Sequence, residues 1–442
     1  MRQSVIVLAV LSVLCTPAAA RVILVPDSAS TIQAGVNMAS GGDTVLVAPG
    51  TYTENVTWSG KSITLASHFL TTGDTTYIDS TVIDANHSGS VVNCGSGVDT
   101  TALICGFTIR NAGTGNGGGI FCLGASPRIA WNVIADNYAS SDGAGVYLDA
   151  YASPIIEHNV IRDNQTASWG GGIYIFDGSS PRVRWNVMYG NGVTKGGAAS
   201  LGDRPGIVGG RRVEPGSTAG ALATSGGAIL ITNFQGYVTS PMIHNNTIVD
   251  NLATSQGGGI FSNKATPDIR NNVIVSNEGY GIYSVDSTLV CSYNDVWANT
   301  SNYGGAASAG TGALSACPLF SDSINHDYHL GSGSPCINAG DPSLPLDPDS
   351  TRSDMGAFYS PQTGIAGRAP AKEARLLSIR PNPFAGSALA YPAAGLVVYD
   401  AMGNVVEKTR TGRFGSRLAA GVYYVRAEGL GRTRVVKLAS LP

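Results

Sequence analysis

The chain has 442 residues, of which 58 are Gly, 13% are charged and 43% are hydrophobic, with a formal net charge of −3. That balance excludes a disordered polymer, which needs few apolar groups and many charges, and so much glycine excludes a helical bundle. Many short strands joined by tight turns remain, and their charge is unevenly placed. From Ile365 onward 12 Lys or Arg stand against 4 Asp or Glu, leaving 15 against 26 in the rest. An acidic body argues against nucleic acid as its partner, because phosphate binding wants a basic face.

Met1-Arg2, the apolar run Val5 to Leu14 and then Pro17-Ala18-Ala19-Ala20 follow the basic, apolar and small-residue order of a secretory signal, so residues 1–20 read as a leader cleaved after Ala20. No later run reaches the roughly 20 apolar residues a membrane helix needs. The expected location is therefore extracellular or attached to the outer surface. Six cysteines follow the leader, and none has CxxC spacing. Cys317 and Cys336 could form a clip, or all six could pack as small buried hydrophobes.

Residues 21–362 carry a repeat. Ser126-Pro127, Ser153-Pro154 and Ser180-Pro181 recur at a spacing of 27, and Ser240-Pro241 and Thr266-Pro267 continue the series. Each is followed by an apolar run and an Asn-led triplet, such as Asn132-Val133-Ile134, Asn159-Val160-Ile161 and Asn186-Val187-Met188. A second Asn comes at 137, 164, 191, 251, 277 and 299, and a glycine cluster then opens a third run. One such unit cannot bury its apolar face alone, but stacked units can, each bonding the next about 4.8 Å along the axis. Gly and Asn are expected at the left-handed bends, and the repeated Asn is expected to form an amide ladder. The series lengthens by one step between Asn186 and Asn246, and the surplus at about 193–225 reads as an insertion carrying Lys195, Arg204, Arg211 and Arg212.

Ser30-Thr31-Ile32-Gln33-Ala34 through Gly50-Thr51-Tyr52 is similar to the capped first coil of right-handed parallel β-helices of the pectin lyase-like superfamily, and the coil spacing resembles that group throughout. The run from Asp327-Tyr328-His329-Leu330 to Gly356-Ala357-Phe358 resembles the terminal coil of exported β-helix repeat proteins. The expected fold is thus all-β, a right-handed parallel β-helix followed by a small antiparallel β-sandwich. A linker at 363–373 leads to that second domain at 374–442, where Pro381-Asn382-Pro383-Phe384, Leu396-Val397-Val398-Tyr399 and Gly421-Val422-Tyr423-Tyr424 are period-two strands between turns. Their order resembles the C-terminal sorting domain recognised by the type IX secretion machinery, which implies that machinery as a partner of the tail.

Three places could carry chemistry. The strand after each glycine cluster holds a ring, at Phe121, Tyr147, Tyr174, Phe261 and Tyr283, beside an inward β-branched column. Either these rings form an outward stripe suited to sugar rings, or they are themselves a buried stack. At the bend after the Asn triplets, Asn111, Asp136 and Asp163 align, with Arg162 beside the last. Two close carboxylates share a proton, pair with a cation or bind Ca²⁺, and the superfamily's lyases use acidic clusters with an Arg or Lys base. The acidic bend is otherwise turn capping, since Gly190 interrupts the column and no polygalacturonase-like Asn-Thr-Asp, Asp-Asp and Gly-His-Gly set is present. Finally, Arg211 and Arg212 of the insertion could clamp an acidic sugar. The readings that follow are a binder of polysaccharide or another extended polymer, a Ca²⁺-dependent lyase or glycosidase using Asp136, Asp163 and Arg162, and a structural or adhesive surface protein, the last favoured if the rings are buried.

Overall fold

The computed structural model describes residues 20–193, 225–234, 236–253, 256–285, 289–362 and the strands of the tail between 378 and 441. The leader, the linker and most of the insertion, including Lys195, Arg204, Arg211 and Arg212, lie outside the described residues. One compact unit spans Val22–Glu373, and a second takes in Ala374–Pro442.

The first unit is a parallel β-helix whose coils each give one strand to three long sheets. Ten strands from Val22–Val25 to Val290–Ser292 form the first sheet, nine from Gly50–Thr53 to Asp295–Trp297 the second, and nine from Val56–Trp58 to Ser301–Gly305 the third. Every strand pairs with its counterpart in the neighbouring coil, as Ile129 does with Ile156 and Ile134 with Ile161. Alternation then sends one side chain of each short strand inward. Ile104, Ile129, Ile156, Val183, Ile243 and Ile269 make such a column, fully buried in the axial core. The lengthened step at 186–246 is still a single coil, because Val187 pairs with Thr247 and Ile173 with Ile229.

Two asparagine ladders join the coils. In the first, Asn159 Nδ2 donates to Asn186 Oδ1 at 3.0 Å, while Asn132 Nδ2 donates to Asn159 Oδ1 at 3.1 Å. In the second, Asn137, Asn164, Asn191, Asn251, Asn277 and Asn299 are linked in the same way at 2.9 to 3.0 Å. Each amide also caps backbone carbonyls at a bend that sheet pairing leaves unsatisfied, as Asn159 does for Ile129 and Glu157. The left-handed residue at these bends is not the ladder Asn, as expected, but the residue before it: Trp131, His158 and Trp185 have φ of 58, 55 and 54°.

The N-terminal end is closed by the helix Ile32–Met38, whose buried Ile32 and Val36 cover the first coil. Thr31 caps it, Glu54 accepts from the N–H groups of Ile32 and Gln33 at 2.9 Å, and Lys61 donates to Val36 and Ala39 carbonyls at the other end. The far segment does not form the terminal coil expected of it. Phe320–Asp322 and Asp327–Leu330 pair antiparallel, and Tyr328, Leu330, Cys336, Met355 and Ala357 pack on Val187, Val249, Val273 and Val275, the outer face of the second sheet. That face is apolar there, and covering it removes its valines from water. Cys336 is buried and donates to Asp295 at 3.3 Å, whereas Cys317 is exposed, so of the two alternatives the clip is not formed, and all the described cysteines but Cys317 are free and buried.

The tail forms two antiparallel-based sheets: three strands, Ser378–Arg380, Ala388–Tyr391 and Arg413–Phe414, and five that include Leu396–Tyr399, Gly421–Ala427 and Val435–Leu441. Among the described residues no helix is long and apolar enough to cross a membrane.

Candidate functional site

The ring column stands on the outward row of the third sheet, with Phe121, Tyr147, Tyr174, Leu230, Phe261 and Tyr283 in register. It is nevertheless not an exposed stripe. Tyr147, Tyr174 and Phe261 are 5%, 1% and 7% exposed and form their own apolar cluster, flanked by the half-buried Phe121, Trp169, Phe176 and Tyr283. Tyr147 meets Tyr174 edge to face at 5.2 Å, and Tyr174 hydrogen-bonds Thr232 through its phenol at 2.9 Å. Each ring folds back over the glycine bend before it; a Cβ on Gly143 would come within 2.6 Å of the Tyr147 ring. Burial, and secondarily the charges of Asp149, Asp142 and Asp177, push the Tyr147 phenol well above its usual pKa. These rings build a secondary core, in which only Phe121 and Tyr283 at its ends stay half-buried.

The acidic bend does assemble. Asp136 and Asp163 occupy the same left-handed position in adjacent coils, with φ of 58 and 54°. Arg162 Nη1 lies 2.7 Å from Asp163 Oδ2 and 3.7 Å from Asp136 Oδ2. Burial opposes the guanidinium charge, but the hydrogen bond to Asp163 and the nearby Tyr189, Asp163 and Asp136 together raise the Arg162 pKa. A base must release its proton, so this environment works against that role. The guanidinium also supplies the positive charge that a Ca²⁺ would bring to the carboxylates, and among the described residues no group of three or more His, Cys, Asp or Glu could hold a metal ion. Tyr189 follows Arg162 in register and stacks at 4.3 Å on His326 of the C-terminal segment. Beyond the interrupting Gly190, burial pushes the Asp250 carboxyl up.

The more open arrangement lies on the first sheet, at a column not singled out in the sequence. Trp131, His158 and Trp185 each precede a ladder Asn, and their left-handed bend turns the side chains outward in successive coils. The rings stack nearly parallel, Trp131 on His158 at 4.5 Å and 7°, His158 on Trp185 at 5.1 Å and 15°. The Arg184 guanidinium lies 4.4 Å over Trp185 and closes that end of the stack. Burial, partly opposed by Glu157, lowers the His158 pKa, which keeps the ring neutral between the two indoles.

Trp131, at the other end, is 40% exposed. Beyond it Phe69 packs against it, tilted by 39° at 5.6 Å, and beside the two rings lies an open depression of about 350 Å³ lined by Phe69, Leu70, Leu103, Arg128, Ala130 and Trp131. Glu157, 1% exposed, holds the neighbouring arginines: Oε1 accepts from Arg128 Nε at 2.5 Å and Oε2 from Arg184 Nε at 2.8 Å. The depression thus offers the exposed part of an indole, an apolar floor and a cation held in place by Glu157. The signal for it was present in the dipeptides Trp131-Asn132, His158-Asn159 and Trp185-Asn186, one residue before each ladder position.

A family model described as "Right handed beta helix region" matches residues 62–235. The body is a right-handed parallel β-helix. Among solved structures, the crystal structure of pectate lyase Pel9A is similar at 13% identity and a TM-score of 0.38, over 77% of this chain and 96% of that one. So distant a likeness carries nothing about activity. No curated protein matches the chain.

Proposed function

We propose that this β-helix is a polysaccharide-binding protein that works outside the cytoplasm and seats its polymer on the outer face of the first sheet. The Trp131–Arg128 pocket is the observation that supports this most directly. A flat indole beside an apolar floor suits the apolar face of a pyranose, and Arg128 suits a carboxylate or sulfate on it. Burial of the Tyr147–Tyr174 column alone would favour a structural or adhesive surface protein. An accessible aromatic pocket with a charge held in place returns the balance to binding. The N-terminal leader and the C-terminal domain are, in this reading, the addresses that deliver the body to the cell exterior.

Affinity electrophoresis of the purified protein in gels containing polygalacturonate, alginate or heparin tests it. Retardation by at least one polymer is expected, with loss in Trp131→Ala and a weaker effect in Arg128→Gln. Retardation that survives Trp131→Ala would remove the pocket from the account. Catalysis is the second reading, kept because Arg162 joins Asp136 and Asp163 in one cluster. It predicts ultraviolet-absorbing unsaturated products from these polymers, abolished by Arg162→Ala.

A further inference from the structure

We propose that the polymer anchored at Trp131 crosses the first sheet to a second subsite at its opposite edge, formed by Tyr151 and Tyr237. This rests on the binding reading above. The strands of this sheet are three residues long at Arg128–Ala130, Ile155–Glu157, Arg182–Arg184 and Met242–His244, so the sheet is only about 10 Å wide. The Trp131–His158–Trp185 stack follows the strands along one edge. Along the other edge run the turns that enter them, and two of these carry exposed rings.

Tyr151 is 58% exposed and Tyr237 is 40% exposed. Tyr151 enters the strand Ile155–Glu157 and Tyr237 the strand Met242–His244, so the two are separated by the coil of Arg182–Arg184. In that middle coil stands Gly178, and the Tyr151 ring fills the space a side chain would take. A Cβ on Gly178 would come within 2.6 Å of Cδ1 and 2.7 Å of Cε1. Laid across the gap, Tyr151 meets Tyr237 with centroids 5.0 Å apart at 63°. The two rings meet edge to face, and unlike Tyr147 and Tyr174 both remain exposed to solvent.

The conformation is costly to hold. Ala150 and Tyr151 are consecutive left-handed residues, with φ of 55 and 65°, a region that residues with side chains disfavour. The turn bearing Tyr237 is tied down from the middle coil, where the buried Asp177 accepts the N–H of Phe234 at 2.5 Å through Oδ1. Between the two aromatic edges Ile155 is half-buried and Arg182 exposed. A ligand leaving the Trp131 pocket would therefore pass an apolar and a cationic side chain before reaching the exposed tyrosine pair. That alternation of ring face, cation and ring face fits a chain of pyranoses bearing acidic groups, the class of ligand the pocket itself would take.

Ligand length separates the two subsites. Isothermal titration would compare polygalacturonate, alginate and heparin with the disaccharide of each, on the full chain. The double variant Tyr151→Ala/Tyr237→Ala is expected to lose about tenfold in affinity for the polymer bound by the native protein, while its affinity for the matching disaccharide stays unchanged. Trp131→Ala is expected to weaken both. Unchanged polymer affinity in the double variant overturns the second subsite and leaves the pocket standing. An equal loss for disaccharide and polymer overturns it too, because the corner would then not be a separate subsite. Failure of every polymer to bind the native protein ends both readings. Sedimentation completes the test: a native dimer that the double variant turns into monomer would make the corner an interface between copies and overturn the proposal. Thermal melting guards against misfolding, since neither ring is part of the core.

Discussion

The outward rows of the first and third sheets come from the same repeat, at the same register, one strand apart around the coil. On the third sheet the rings of Tyr147 and Tyr174 fold over the glycine bends before them and meet edge to face, and their faces are consumed by one another. On the first sheet the rings of Trp131, His158 and Trp185 project from the bend itself, stack in parallel, and leave Trp131 40% exposed at the rim of the Phe69 pocket. An aromatic column in a solenoid is thus core or platform according to where it leaves the coil, a strand position beside a small turn or the turn itself.

Tyr174→Ala should be the largest insult, destabilising the body by about 4 kcal/mol as measured by denaturant unfolding, because it empties a fully buried site; polymer retardation of the folded fraction should persist. A stable Tyr174→Ala protein with lost retardation would reverse the assignment of the two columns. Trp131→Ala should weaken polymer binding by about 2 kcal/mol, roughly 30-fold, with almost no change in melting temperature. The reverse pattern, a large loss of stability with intact binding, would show this ring to be core as well. Glu157→Gln should cost about 1 kcal/mol, since it removes the charged partner of Arg128 and Arg184, both of which keep more than a third of their side chain in water, and it should also loosen Arg128 at the pocket, visible as a steeper salt dependence of binding.

The smallest effect concerns the C-terminal segment, which covers the second sheet and neither aromatic row. Burial, then Asp354 and Asp349, push the Asp347 carboxyl up to about 6, against a hydrogen bond from the Asp354 N–H. A carboxyl whose pKa is higher folded than unfolded favours the folded state when protonated, so this contribution is present at acid pH and lost as pH rises from about 4 to about 6. Asp347→Asn should therefore stabilise the protein at pH 7 by about 1 kcal/mol, a figure discounted for the half-exposed position, and flatten the pH dependence of melting over that window. Rising stability across the same window in the native protein would contradict it.

Much of the architecture was legible because it is periodic. Asn132, Asn159 and Asn186, 27 residues apart, stand on one another as the spacing requires, and Thr31 with Ile32 and Val36 makes the expected helical cap. The acidic bend was legible for the same reason, since Asp136, Asp163 and the break at Gly190 follow from register. The terminal segment misled, because Tyr328 and Met355 read equally well as an inward coil position or as a patch on the outer face of the second sheet. The two aromatic rows misled because alternation tells inward from outward but not whether an outward ring is covered.

The sequence by itself determined which residues share a column, because a fixed period with parallel pairing leaves one register that buries Ile129, Ile156 and Val183 together. Only the tertiary structure decided which outward columns are solvent-facing, because that depends on long-range neighbours. Phe69 reaches the Trp131 end of one column from two coils away, and Trp169 and Phe176 pack against the Tyr147–Tyr174 rings. Such contacts join residues whose separation follows no period, and they set how much of each ring meets water.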